Sequence, residues 1–155
     1  MTVVNQDIDI ATSPAEVRRA FLGGIARKQL LEIGHQLYKF THYPLFRSDG
    51  TATPWWSSVE PLDPTDPGLV GTVERAKKLG ASPTDFARAR TAVTRQWNQM
   101  RGLLRVRLLV PVFALRGRCA SQPYDGASHL ANVVFIGGAW QLWIPNLSRR
   151  EIVAE

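Results

Sequence analysis

From the N-terminus, apolar positions first recur at helical spacing. Val17, Phe21 and Ile25 follow at intervals of four, and Leu30 and Leu31 extend the stripe. Arg18, Arg19, Arg27 and Lys28 fall between them, as the solvent face of an amphipathic helix requires. Ser13-Pro14-Ala15-Glu16 offers a hydroxyl cap, a proline at the first helical position and a carboxylate three residues after the cap. The pattern predicts a helix from about Pro14 to Leu31, weakened at Gly23-Gly24, behind a flexible or strand-like arm over residues 1–12.

Leu37 to Thr41, LYKFT, switches to the aromatic and β-branched content of a short strand. Periodicity then disappears between His42 and Gly68, where five prolines and an Asp-Gly pair predict a long functional loop holding the PWWSS segment. Helical spacing returns from about Leu69 to Leu79, stopped by Gly80. It returns again after the cap-like Ser82-Pro83-Thr84-Asp85, where Phe86, Ala89, Val93, Trp97 and Met100 share a face. After Gly102 the period becomes two: Leu104, Val106, Leu108 and Val110 alternate with Arg105 and Arg107, and the strand is expected to break at Pro111. NVVFI and AWQLWIP predict two strands around Gly137-Gly138, and EIVAE a further one. Helices first and strands last read as an α+β fold in one domain spanning residues 1–155, with a mixed or antiparallel sheet.

Composition narrows the class. An apolar share of 45% and five tryptophans require a core and exclude disorder. The single cysteine, Cys119, cannot form an internal disulfide and is expected to be a buried, inert thiol. No run approaches the roughly 18 apolar residues of a membrane span, and the first residues lack a basic and apolar leader, so a soluble protein synthesised in the cytosol is expected. Delivery to another cell would leave no such mark.

A net charge of +6 points to an anionic partner. Arg88, Arg90, Arg95, Arg101, Arg105 and Arg107 gather around the predicted helix-to-strand junction. They read either as the solvated face of a helix or as a grip on nucleic acid or an acidic protein, in a non-enzymatic basic module. Metal chemistry finds no support, because His35, His42 and His129 are scattered and Cys119 has no nearby ligand partner. The chain has no G-x-S-x-G, no P-loop and no G-x-G-x-x-G.

The residual chemistry lies in LYKFT, PWWSS and GGAWQLWIPN, where Gln141 stands between Trp140 and Trp143. Gln141 reads either as an amide satisfied by solvent or a backbone carbonyl, or as a group facing a ligand. Trp55 and Trp56 read as core or as stacking surfaces, and Ser57 and Ser58 as turn residues or ligand contacts. Taken together the three segments resemble the diphtheria-toxin and cholera-toxin superfamily of ADP-ribosyltransferases. In that superfamily a split sheet cradles NAD between an early strand, a central serine strand and a late glutamate strand.

The resemblance implies that NAD is the substrate, and that a macromolecule accepts ADP-ribose or water hydrolyses the bond to nicotinamide. It also implies a toxin or effector domain. Lys39, or its neighbours Tyr38 and Thr41, would hold the cofactor; Trp55, Trp56, Ser57 and Ser58 would fill the second motif; Gln141 would occupy the catalytic glutamate position. The chain departs from the pattern with Lys39 for arginine or histidine, Ala139 for the first glutamate, and neutral Gln141 for the second. A charge from Glu60 or Asp49 could complete such a site. The expected arrangement puts Lys39, Ser57 and Gln141 around one concave surface, with Trp56 on a cofactor ring.

Overall fold

The computed structural model describes residues 3–41, 43–80, 102–120, 122–123, 134–135 and 139–155. Its strands are β1 (Arg27–Leu31), β2 (Gln36–Thr41), β3 (Trp55–Ser58), β4 (Gly102–Leu108), β5 (Val112–Arg118), β6 (Gln122–Pro123), β7 (Val134–Phe135), β8 (Trp140–Trp143) and β9 (Ile152–Ala154). Two α-helices accompany them among the described residues, α1 (Ala15–Ala20) and α2 (Gly68–Lys78). Seven strands form one sheet in the order β1-β5-β8-β3-β2-β4-β9, every neighbouring pair antiparallel, while β6 and β7 form a separate ribbon. The described fold is therefore mostly β, with a first helix much shorter than the periodicity predicts.

The long first helix is corrected. α1 ends at Ala20, and the chain leaves it with Phe21 extended. Gly23 and Gly24 then take φ of 65° and 68°, a left-handed region that glycine enters without steric cost. This reversal sends Arg27–Leu31 back as edge strand β1 against β5, in register Arg27↔Arg116 to Leu31↔Val112. The cap also differs: Ser13 Oγ donates to the Asp9 carbonyl at 2.6 Å, and no side chain caps α1. Of the predicted stripe, Val17, Phe21 and Leu31 are buried, whereas Ile25 is 68% exposed.

The loop expected from His42 to Gly68 is interrupted by β3, which lies between β2 and β8 in the middle of the sheet. Prolines did not prevent this, because none falls inside Trp55–Ser58. α2, β2, β4, β5 and β9 stand close to where the periodicity puts them, with the break between β4 and β5 at Pro111. The second predicted helix, with Arg88, Arg90, Arg95 and Arg101, lies outside the described residues, as do His42 and His129.

Alternation along the strands divides the sheet into two faces. The first carries the main core: Leu37 on β2, Trp56 on β3, Val106 and Leu108 on β4, Val112 and Ala114 on β5, Leu142 on β8 and Ile152 on β9. The second packs Leu115, Trp55 and Trp143 under Val17 and Phe21 from the α1 region. Gly117 makes that contact possible, since a Cβ there would lie 2.5 Å from the Ile25 carbonyl and 2.6 Å from the Phe21 ring. The N-terminal arm is tied down: Val4 bridges Val112 in parallel, and Asn5 Nδ2 donates to the carbonyls of Phe113 and Pro145 at 3.2 and 2.8 Å. Cys119 is buried.

Candidate functional site

LYKFT, WWSS and AWQLW are far apart in sequence yet form three adjacent strands, β2, β3 and β8. Tyr38 pairs with Ser57, Trp55 with Trp143 and Trp56 with Leu142. One further step in that register brings Ser57 level with Gln141, which itself pairs with Gly117 on β5. Opposed residues of an antiparallel pair point the same way, so Gln141, Ser57 and Tyr38 form a row on the second face, spanning about 10 Å across two strand spacings. Trp55 and Trp143 lie one step along on that same face and make an aromatic ledge beside the row, with Phe21 5.5 Å from Trp55.

Ser57 and Gln141 are half-buried, whereas Tyr38 is buried under α2, its hydroxyl 3.5 Å from Thr72 Oγ1. Burial pushes the Tyr38 phenol up, and its hydrogen bonds to Thr72 and Ser57 work against that rise. Gln141 Nε2 donates to the Ala20 carbonyl at 3.0 Å. That bond fixes the plane of the amide, and its Oε1 meets no protein donor among the described residues.

Lys39 does not join this row. It is adjacent to Tyr38 and so projects to the first face, where Nζ donates to Thr53 Oγ1 at 2.5 Å and the Thr53 carbonyl at 2.9 Å. The same nitrogen lies 3.7 Å from the centroid of the Trp56 ring. Burial, with the Arg47 guanidinium adding repulsion, lowers its pKa from 10.5 to about 7. Trp56 is 2% exposed and its ring face is taken by Lys39, which leaves no open face for a cofactor ring. The expected single hollow shared by Lys39, Ser57 and Gln141 is thus not formed, because strand parity sends Lys39 to the opposite side.

Thr41 and Ser58 also belong to the first face and are buried. Thr41 Oγ1 accepts from the Tyr43 amide at 3.1 Å. Ser58 Oγ donates to the Glu60 carbonyl, and His35 Nε2 lies 2.9 Å from the same hydroxyl. With the serine proton committed to Glu60, His35 is the donor in that pair, so the two are not arranged as nucleophile and base. Burial lowers the His35 pKa against the upward pull of Glu60 and Asp66. Asp49 is held within its own turn by Thr51 and Arg47.

A polar cluster on the first face escapes a sequence reading. Arg116 Nη1 meets Asp63 at 2.8 Å and Nη2 lies 3.6 Å from Asp66, while Trp140 Nε1 donates to Thr65 Oγ1 at 2.9 Å. Arg116 and Arg118 lie 4.0 and 4.2 Å from the Trp140 ring. Together they pin the Asp63-Pro64-Thr65-Asp66 turn onto β5 and β8. The local signal was available in DPTDP, since an aspartate two residues before a donor makes an Asx turn, here Asp63 to Thr65 at 2.8 Å. Its distant partner Arg116 was not.

No family profile matches the chain, and no curated protein is similar to it. Among solved structures, that of Tse6 in complex with Tsi6 is similar over 97% of this chain and 85% of that one, with 21% identity and a TM-score of 0.42. A likeness at that level settles neither fold nor activity. Among the described residues no helix is long and apolar enough to cross a membrane.

Proposed function

We propose that the chain is an NAD-binding domain of the ADP-ribosyltransferase-like class, a toxin or effector that cleaves the bond between nicotinamide and ribose. ADP-ribose passes to water or to a macromolecular acceptor, and the protein acts after cytosolic synthesis and delivery. One observation carries the reading: the strands of the three resembling segments are neighbours, with Ser57 and Gln141 level, half-buried and on one face.

That pair fits a ribose edge. Gln141 Oε1 accepts a hydrogen bond from a ribose hydroxyl while its Nε2 stays on Ala20, so the amide is oriented before the ligand arrives. Ser57 supplies a second hydrogen-bonding group, and the Trp55 and Trp143 ledge offers aromatic surface beside it. In hydrolysis the ribose C1′–N bond breaks, nicotinamide leaves neutral with the bonding pair, and water adds to C1′ with release of a proton. A neutral amide orients the ribose without supplying negative charge to the developing oxocarbenium ion. Tyr38 shapes the wall, and Lys39 and Trp56 support it from the core side.

The test is incubation of the purified chain with NAD, following free nicotinamide and label transferred to cell extract, alongside calorimetric NAD binding. Gln141→Ala is expected to abolish nicotinamide release while the variant still unfolds cooperatively. If the unaltered chain neither consumes nor binds NAD, the proposal is wrong.

A further inference from the structure

The sheet ends on β9, and among the described residues no strand lies on its outer side. The phase of the β4–β9 ladder follows from two bonds, Leu109 N–H to the Glu151 carbonyl at 2.7 Å and Glu155 N–H to the Arg105 carbonyl at 2.9 Å. Odd-numbered residues of β9 therefore bond to β4, and the backbone groups of Ile152 and Ala154 face outward. The Ile152 amide is used locally, donating to the Ser148 carbonyl at 3.1 Å. The Ile152 carbonyl and both backbone groups of exposed Ala154 remain as an open template.

Beside this edge runs a groove of about 560 Å³ whose walls include Leu45, Phe46, Leu109, Ile152 and Ala154, with Arg149 as its cation. The Arg149 guanidinium lies 4.6 Å from the Phe46 ring. No carboxylate pairs with Arg149 or its exposed neighbour Arg150 among the described residues. The acidic groups closest in sequence are engaged elsewhere: Glu151 by Ser148, and Glu155 by Gln36 and Arg107. An apolar floor, an open strand edge and two uncompensated cations specify one chemistry. A second copy of this chain, at net charge +6, complements it poorly.

We infer that the groove beside β9 binds an extended, acidic protein segment, which adds to β9 as an eighth strand and seats its apolar side chains on Leu45 and Phe46. Arg149 and Arg150 meet its carboxylates. This surface is independent of the Ser57 and Gln141 pair.

The test uses the whole chain and two synthetic octapeptides, one alternating glutamate with valine and one alternating lysine with valine. Fluorescence anisotropy is expected to show binding of the glutamate peptide alone, weakened by salt. Hydrogen exchange should show new protection of the Ala154 amide when that peptide binds. Arg149→Glu, an exterior change, should weaken binding by about tenfold or more. Ala154→Pro removes the outward donor while leaving the β4 bonds, and should do the same. The inference is overturned by any of four results: no binding of the glutamate peptide, equal binding of both, binding indifferent to Arg149→Glu, or binding without Ala154 protection. Concentration-dependent self-association that protects Ala154 would also overturn it, by assigning the edge to a second copy.

Discussion

Replacing Lys39 by methionine should make the protein more stable at neutral pH and erase most of its pH dependence between pH 7 and 9.5. The ammonium sits inside the sheet with two Thr53 oxygens and the Trp56 face as its polar company. Its pKa falls from 10.5 to about 7. A drop of that size corresponds to about 5 kcal/mol of differential stability. The sign follows from proton counting. Between pH 7 and 10.5 the unfolded chain holds a proton that the folded chain has released, so stability rises with pH across that window, by about 1.4 kcal/mol per pH unit at its steepest. Below pH 7 both states are protonated and the penalty is fully present.

Methionine carries no such penalty but leaves the Thr53 oxygens without their donor, a loss of about 1–3 kcal/mol. Lys39→Met should therefore gain about 2–3 kcal/mol at pH 7 and approach or fall below the unaltered protein near pH 9.5, where the neutral amine keeps its hydrogen bonds. The window avoids His35, whose lowered pKa acts below 6.5, and Tyr38, whose raised pKa acts above 10. Urea unfolding followed by tryptophan fluorescence, with Cys119 kept reduced, measures both chains at each pH. Parallel stability profiles for the two proteins would refute a buried, depressed ammonium at position 39.

Gly117→Ala should cost about 3 kcal/mol or more, because the new Cβ would meet Ile25 backbone and the Phe21 ring; a melting temperature within a degree of the parent would contradict that packing. Asp66→Ala removes a carboxylate that accepts from the amides of Leu62 and Gly68 and faces Arg116, so denaturant unfolding should show a loss of about 3 kcal/mol. Gln141→Ala should cost only about 1 kcal/mol of stability, the worth of its bond to Ala20, while removing nicotinamide release. Equal loss of fold and activity would recast Gln141 as structural.

The short periodic segments were legible because they depend on local preference. Residues 37–41, 69–78, 102–108 and 112–118 took their expected form, with Pro111, which has no N–H to give a ladder, in the break between β4 and β5. The first helix was misread because Val17, Phe21 and Ile25 keep helical spacing through a glycine pair that turns the chain back. Local spacing cannot report that Phe21 and Ile25 serve a contact with Gly117, nearly a hundred residues on.

The candidate site was legible only as ingredients. Residue types marked Tyr38, Ser57 and Gln141, and nothing local could have said that their strands are neighbours or that Lys39 faces away. β2 alternates Leu37, Lys39 and Thr41 with Tyr38 and Phe40, and neither set is plainly the apolar one, so parity was undecided until β3 and β4 fixed it. The sequence alone determined that this chain has a core, where several of its strands lie, and which residue types carry chemistry, since these follow from composition and short-range sterics. Only the tertiary structure decided which side chains share a face, because register is set by pairings between segments far apart along the chain.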